Sequence, residues 1–143
     1  MNTKTETHID LIQFDVHLIG ELIQEHIDPV TELTRYEYSI TIITQIGKHV
    51  VPFYSSHQDY LDKKEKIDEE LLKWAFKQTL QDALYSELEL EEFCDRLGFD
   101  PEKEEDVQIY KDCNGVFVCL HKIGFETYDE LETAIRDLEK LKI

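Results

Sequence analysis

The sequence has few basic side chains and no long apolar run. It holds 15 Lys and Arg against 32 Asp and Glu, which gives a formal net charge of −17 at pH 7. A charge of this size repels the phosphates of nucleic acids and membranes and attracts basic surfaces. Direct nucleic-acid binding needs clustered Lys and Arg, and a bilayer span needs about 20 apolar residues in succession. We therefore expect neither direct nucleic-acid binding nor a membrane span.

Glycine, proline and cysteine are also scarce. Five Gly and three Pro argue against a low-complexity chain. The chain has three Cys, an odd number, and its polar N-terminal sequence does not resemble a secretory signal. Both features favour a reducing compartment. The 143 residues are 41% hydrophobic, which suits a single domain over 1–143 in the cytoplasm.

Two patterns divide the first half of the chain. Apolar residues at helical spacing predict an N-terminal helix at about 9–27, which ends before Asp28-Pro29. The stripe consists of Ile12, Val16, Ile19, Ile23 and Ile27, widened by Leu11, Phe14, Leu18 and Leu22. Alternating β-branched and aromatic residues then predict an antiparallel hairpin at about 36–54, with its turn at Gly47 and Pro52 on an edge strand.

Helical patterns dominate 67–143. A strong helix is expected to begin at Ile67 or Asp68, and a shorter one at 89–97 to end at Gly98. The sequence predicts a third helix between the cap Asp100-Pro101 and the breaker Asn114-Gly115.

The end of the chain adds one ambiguous segment and one clear helix. The run Val116–Leu120 fits either a buried strand or a helix, and we favour the strand because Asn-Gly precedes it. Thr127 and Glu130 form a capping box for a C-terminal helix whose inner residues include Leu141. The expected class is α+β, a helix-rich single domain with one antiparallel hairpin packed against several helices.

Carboxylates are concentrated after residue 86. Like charges one helical turn apart cost about 0.2–0.5 kcal/mol per pair, so their retention indicates a use, although a solvated helix face that aids solubility is the alternative. Only Arg96, Lys103 and Lys111 oppose them. The residues that we expect to bind a partner are Glu87, Glu89, Glu91, Glu92, Asp95, Glu102, Glu104, Glu105 and Asp106, with Trp74 as an aromatic anchor.

The sequence does not favour catalysis or metal binding. Cys113, Cys119 and His121 form C-x5-C-x-H, which is looser than the pairs typical of structural zinc. Cys94 and Cys113 lie on apolar faces, as small buried hydrophobes do. The chain contains no P-loop, dinucleotide fingerprint or H-E-x-x-H. We predict no cofactor, no metal and no catalytic residue, and keep a small metal-dependent enzyme as the second alternative.

The stretches YSITIITQIGKHVVPFY, LLKWAFKQTLQDA and FCDRLGFDPEKEEDVQIYKDC carry a resemblance that covers roughly 36–113. They resemble small accessory proteins of bacteriophages and prophages with a Phe-Cys-x-x-x-Gly-Tyr/Phe-Asp … Tyr-x-x-Cys motif. Phe99 stands where that family usually has Tyr, and its Gly-rich stretch before His57 is absent. The resemblance implies a phage gene and no reaction.

Small acidic phage proteins are often inhibitors of host defence, such as anti-CRISPR and anti-restriction proteins. By analogy, we expect a non-enzymatic inhibitor in the cytoplasm of the bacterial host. Its carboxylates would mimic DNA and bind a basic surface of a host protein or ribonucleoprotein complex. The alternative is a phage accessory adaptor or regulator that binds a protein without such mimicry. The hairpin edge and the broad helical faces also permit a homodimer.

Overall fold

The computed structural model describes residues 4–27, 29–30, 32, 34–54 and 68–143. These residues form four β-strands followed by four α-helices, which confirms the α+β class. The strands are β1 (Lys4–Asp10), β2 (Asp15–Ile27), β3 (Thr34–Ile43) and β4 (Lys48–Tyr54); the helices are α1 (Glu69–Leu84), α2 (Leu90–Leu97), α3 (Glu104–Lys122) and α4 (Tyr128–Lys140). One 3-10 turn, Tyr85–Glu87, joins α1 to α2.

The strands form one antiparallel sheet in the order β1-β2-β3-β4. The predicted hairpin is present as β3 and β4, and Pro52 does lie on an edge strand, as expected. The expectation of a single hairpin is wrong, because β1 and β2 extend the sheet to four strands.

The predicted N-terminal helix at 9–27 is also wrong, since this segment holds the end of β1 and all of β2. Ile12, Ile23 and Ile27 belonged to the helical stripe, yet they are 76%, 55% and 67% exposed. The buried side chains Ile9, Leu11, Val16 and Leu18 follow period two instead. Both periods fit these apolar positions, and pairing with β3 decides for the strand, as expected for a β-branched segment.

The helices cover one face of the sheet, which we call the inner face; the opposite face is the outer face. The inner face buries Leu18, Tyr38, Ile40 and Ile42 in the main core, where α1 packs on the strands and α4 packs on α1. This main core also contains Leu72, Phe76, Leu80, Leu120, Ile123, Phe125, Leu131 and Leu138. The period-two pattern of β2 and β3 therefore meets the helical stripe of α1 in one apolar layer, which α4 extends.

Two hydrogen bonds fix the ends of the strands to the helices. The Ile12 N–H in the β1–β2 turn donates to the Asp137 carboxylate on α4 at 3.0 Å. In the β3–β4 turn, the Thr44 hydroxyl donates to the Ile123 carbonyl at 2.5 Å. Asp137 is buried, so the N–H that it accepts offsets part of the cost of removing its carboxylate from water.

Helix α3 differs most from the sequence prediction. It begins at Glu104 rather than at Asp100-Pro101, continues through Asn114-Gly115 and includes all of Val116–Leu120, so the expected strand is wrong. Its 19 residues carry Cys113 into one apolar cluster and Leu120 into the main core. Packing on both sides of Asn114-Gly115 outweighs the low helix propensity of Asn and Gly, which sums to only about 1–2 kcal/mol.

The other helix boundaries agree with the prediction. The Asp68 side chain caps α1, Gly98 ends α2 in the left-handed region, and the Thr127 hydroxyl accepts from the Glu130 N–H at the start of α4. Leu141 lies beyond α4 and is largely exposed, contrary to expectation. The linker 55–67, with Ile67, lies outside the described residues. No described helix combines the length and apolar character that crossing a membrane requires.

Candidate functional site

The sequence-predicted carboxylates lie in one unit, residues 87–112, which we call the acidic lobe. It comprises the end of the 3-10 turn, all of α2, the following loop and the first half of α3. α2 is strongly amphipathic, with Phe93 and Cys94 buried and Glu91, Glu92 and Asp95 exposed. The 3.6-residue period of this short helix therefore separates an apolar face from an anionic one.

An aromatic cluster holds the lobe together. Phe93, Cys94 and Cys113 are buried, and the Tyr110 ring lies 5.0 Å from the Phe93 ring between centroids. The Tyr110 hydroxyl donates to the Leu88 carbonyl at 2.5 Å, which joins α3 to the segment before α2. Partly buried neighbours complete this cluster: Tyr85, Leu88, Leu90, Phe99 and Tyr110. The lobe thus has a small apolar centre of its own, distinct from the main core.

The loop between α2 and α3 is fixed by its own carboxylates. Gly98 has a φ of 76°, a conformation that glycine adopts without steric cost. The Asp106 carboxylate accepts from the Asp100 N–H at 2.7 Å, and the Asp100 carboxylate accepts from the Glu102 N–H at 2.9 Å. Asp106 is half-buried, so it supports the loop rather than presenting its charge to solvent.

The remaining carboxylates of the lobe differ from Asp106. Glu92 pairs with Arg96 at 2.7 Å on the surface of α2. Seven others are exposed, and their carboxylates have no hydrogen bond or ion pair to any residue that the structure describes: Glu87, Glu89, Glu91, Asp95, Glu102, Glu104 and Glu105. The structure therefore divides the nine predicted carboxylates into two with local partners and seven open to solvent.

The negative charge of the chain is concentrated in this lobe. Eleven Asp and Glu against three Lys and Arg give residues 87–112 a net charge of −8, nearly half of the −17 of the whole chain. The lobe contains only 26 of 143 residues. A uniform distribution of charge would place about −3 there, so the anionic surface is local rather than spread over the molecule.

Trp74 lies apart from the carboxylates. It is half-buried on α1, where it packs against the main core. Tyr85, the first residue of the 3-10 turn, follows it by eleven positions, which corresponds to roughly 16 Å along the helix axis. The structure therefore brings the carboxylates together without placing Trp74 among them.

The cysteines serve the apolar interior. Burial raises the pKa of Cys113 to about 12, with the Asp82 and Asp112 charges adding to the effect. Burial also raises the pKa of Cys94, and Asp106 and Asp100 contribute. A thiol with a raised pKa is a poor nucleophile and a poor metal ligand. Within the described ranges, no group of three His, Cys, Asp or Glu residues is arranged to hold a metal ion.

The outer face of the sheet carries a cluster of side chains that the predicted N-terminal helix at 9–27 did not bring together. His8 and His17 are cross-strand partners with stacked rings, 4.3 Å between centroids. His17 Nε2 lies 3.5 Å from a Glu6 carboxylate oxygen. Asp15 forms a side-chain hydrogen bond with Asp10, and this bond and the negative charge of Asp10 raise the pKa of Asp15. On a helix, His8 and His17 would point in different directions; only the antiparallel register brings them together.

A groove of about 370 Å³ lies between α1 and α4. Its sides include Leu84, Tyr85 and Ile135, and its rim carries the exposed Glu132–Arg136 pair. This groove is open to solvent, and its polar lining side chains lie on the facing surfaces of α1 and α4: Gln81, Glu132, Arg136 and Glu139.

Comparisons with protein families, curated proteins and solved structures yield no match for this chain.

Proposed function

We propose that this protein works without catalysis, by binding a basic surface of another protein through the acidic lobe. The observation that carries the proposal is the set of seven exposed carboxylates that have no partner among the described residues, on a lobe that its own aromatic cluster holds in shape. Such carboxylates remain hydrated until a cationic partner arrives, so they attract it over a distance set by the ionic strength.

The rigidity of the lobe supports specific binding rather than mere solubility. Tyr110, Asp100 and Asp106 use polar atoms to fix the segments that carry the exposed charges. A partner then meets carboxylates that are already positioned, and little conformational entropy is lost on binding. A sequence selected only for solubility has no need to fix its charges in this way.

The charge density of the lobe suggests the kind of basic surface. Duplex DNA carries one charge per about 1.7 Å of axis, so a net charge of −8 corresponds to roughly 14 Å of duplex. Helix α2 carries a net charge of −2, and the rest of the charge of the lobe lies on the 3-10 turn, the loop and the first half of α3. A groove lined with Lys and Arg for a nucleic acid would therefore meet carboxylates from several neighbouring segments here.

The more specific proposal is a phage-type inhibitor of a host defence or nucleic-acid-handling complex, such as an anti-CRISPR or anti-restriction protein. The resemblance of residues 36–113 to phage accessory proteins supports it by analogy. Such an inhibitor would act in the bacterial cytoplasm and occupy the groove that otherwise holds DNA or RNA. Binding would be fast, weakened by salt and competitive with nucleic acid.

The test is affinity capture from bacterial lysate with matched variants. The lobe variant replaces Glu89, Glu91, Glu102 and Glu105 with Gln; the control variant makes the same change at the exposed Glu25, Glu69, Glu70 and Glu126. Both variants lose four charges and keep the interactions of Asp106 and Glu92. We expect the wild type and the control to retain the same partner, and the lobe variant to bind it at least tenfold more weakly, about 1.4 kcal/mol.

Competition completes the test. Duplex DNA or RNA added to the captured complex should release the partner, and so should salt at about 0.5 M. If the lobe variant retains the partner as well as the control does, the acidic lobe is not the binding surface.

The adaptor without mimicry is the alternative, and the outer face of the sheet favours it. Val50 and Ile23 are exposed on the part of the sheet that the structure describes, and exposed apolar groups can bind a protein independently of charge. In that case nucleic acid would not compete, and neutralising the lobe would leave the affinity unchanged.

A further inference from the structure

The β1 edge of the sheet has a self-complementary sequence. Within the described sheet, β1 pairs with β2 alone, so its other side is an edge. The Leu11 N–H donates to the Phe14 carbonyl at 3.1 Å, next to the pair Asp10–Asp15. Because hydrogen-bonded and non-hydrogen-bonded pairs alternate along an antiparallel ladder, Lys4, Glu6, His8 and Asp10 direct their backbone N–H and C=O groups away from β2.

We propose that this edge pairs with β1 of a second copy of the chain, antiparallel and centred on Thr7, to form a continuous eight-stranded sheet. The two-fold axis would stand perpendicular to the sheet, so the outer faces of both copies lie on the same side. This homodimer is independent of the acidic lobe and of the function proposed for it.

Charge selects the register. With Thr7 opposite Thr7 of the second copy, Glu6 faces His8 and Lys4 faces Asp10, and the symmetry repeats both pairs. The four side chains share the outer face because they alternate with Thr5, Thr7 and Ile9. Opposite charges directly across a strand pair are favourable, whereas like charges are not. The pattern Lys-x-Glu-x-His-x-Asp is thus complementary to its own reverse.

Neighbouring registers are unfavourable. A dimer centred on His8 would place Glu6 opposite Asp10, and one centred on Glu6 would place Glu6 opposite its own copy. A shift by one residue would place outer-face side chains against inner-face ones. Of these registers, only the one centred on Thr7 places each outer-face carboxylate from Lys4 to Asp10 opposite a basic side chain, Glu6 opposite His8 and Asp10 opposite Lys4.

The backbone supplies the remaining stabilisation. Four edge-directed residues in each copy allow up to about eight interchain hydrogen bonds. Thr7 would face its own copy across the strands, a pair that is favourable in sheets. Charges on an edge strand also serve to prevent pairing, but a purely protective edge does not need alternating signs.

The experiment is sedimentation equilibrium of the purified chain at about 0.15 M salt, where the long-range repulsion of two acidic copies is screened beyond about 8 Å. We expect a concentration-dependent dimer. His8→Glu puts a carboxylate opposite Glu6 twice per dimer and should weaken association at least tenfold. The double variant Glu6→His/His8→Glu restores the pair in exchanged order and should return the dissociation constant to within about threefold of the wild-type value.

A backbone variant tests the edge itself. His8→Pro removes an N–H that points to the edge and leaves the ladder with β2 intact, so it should abolish the dimer while circular dichroism remains unchanged. A wild type that stays monomeric at the highest soluble concentration overturns the proposal. A dimer that survives both His8→Glu and His8→Pro overturns it too, because its interface then lies elsewhere. If the double variant Glu6→His/His8→Glu does not restore association, the proposal is likewise overturned.

Discussion

At the scale of single residues, Cys113 shows how burial changes chemistry. It is 7% exposed, between Phe93 and the end of α1, and the desolvation of its thiolate raises its pKa to about 12. The unfolded chain has no such environment, so its thiol loses a proton near pH 9. Between about pH 9 and about pH 12 the Cys113 thiol therefore binds fewer protons in the unfolded state than in the folded state.

This difference predicts a pH dependence of stability. Above about pH 9 the free energy of unfolding should fall as pH rises, by on the order of 1 kcal/mol per pH unit from Cys113. Urea unfolding at about pH 8 and about pH 10 measures it. Cys113→Ala should remove this component of the slope, and Cys119→Ala, which alters a half-buried cysteine on the same helix, should retain it. Equal slopes for the wild type and Cys113→Ala would contradict the account.

At the scale of elements, α3 and α2 use glycine in opposite ways. Gly115 lies within α3 with a helical backbone, and a Cβ there would meet no described atom within 4 Å apart from its chain neighbours and the backbone of its own helix. Gly98 follows α2 with a φ of 76°. Glycine costs a helix interior about 0.5–1 kcal/mol relative to alanine, whereas a left-handed position penalises alanine by about 1–2 kcal/mol.

The same substitution should therefore have opposite effects at the two positions. Gly115→Ala should raise the free energy of unfolding by about 0.5–1 kcal/mol, and Gly98→Ala should lower it by about 1 kcal/mol. Urea unfolding of both variants beside the wild type measures the difference. A loss of stability in Gly115→Ala would show that α3 does not continue through Asn114-Gly115.

At the scale of the whole molecule, the net charge of −17 opposes the compact state. The exposed ion pairs Glu92–Arg96 and Glu132–Arg136 offset little of this repulsion, because surface pairs contribute about 0–1 kcal/mol each. The lobe contributes most to the repulsion, since its carboxylates lie within one or two helical turns of each other.

Salt should therefore stabilise the isolated protein. Raising sodium chloride from about 0.02 M to about 0.5 M shortens the Debye length several-fold, and we expect the Tm to rise by roughly 2–4 °C for each kcal/mol of repulsion removed. Differential scanning calorimetry measures this shift. The lobe variant with four Gln should show a smaller rise than the control variant of equal net charge. A Tm independent of salt, or equal shifts in both variants, would show that repulsion is not concentrated in the lobe.

The sequence by itself determined the elements whose signals are local. The Asp68 and Thr127 caps, the stop at Gly98 and the β3–β4 alternation depend on neighbouring residues, so each could be predicted. Composition alone determined the negative net charge, and the positions of the Asp and Glu residues in the sequence determined its concentration after residue 86.

Tertiary structure decided what local patterns left open. The apolar residues of 9–27 fit two periods, and only pairing with β3 makes them a strand. Val116–Leu120 is helical because Cys113, at the middle of α3, and Leu120, near its end, pack into different apolar clusters. Contacts between distant segments also decide which carboxylates stay open to solvent, because burial is a property of the assembled fold. The same contacts place Trp74 away from these carboxylates.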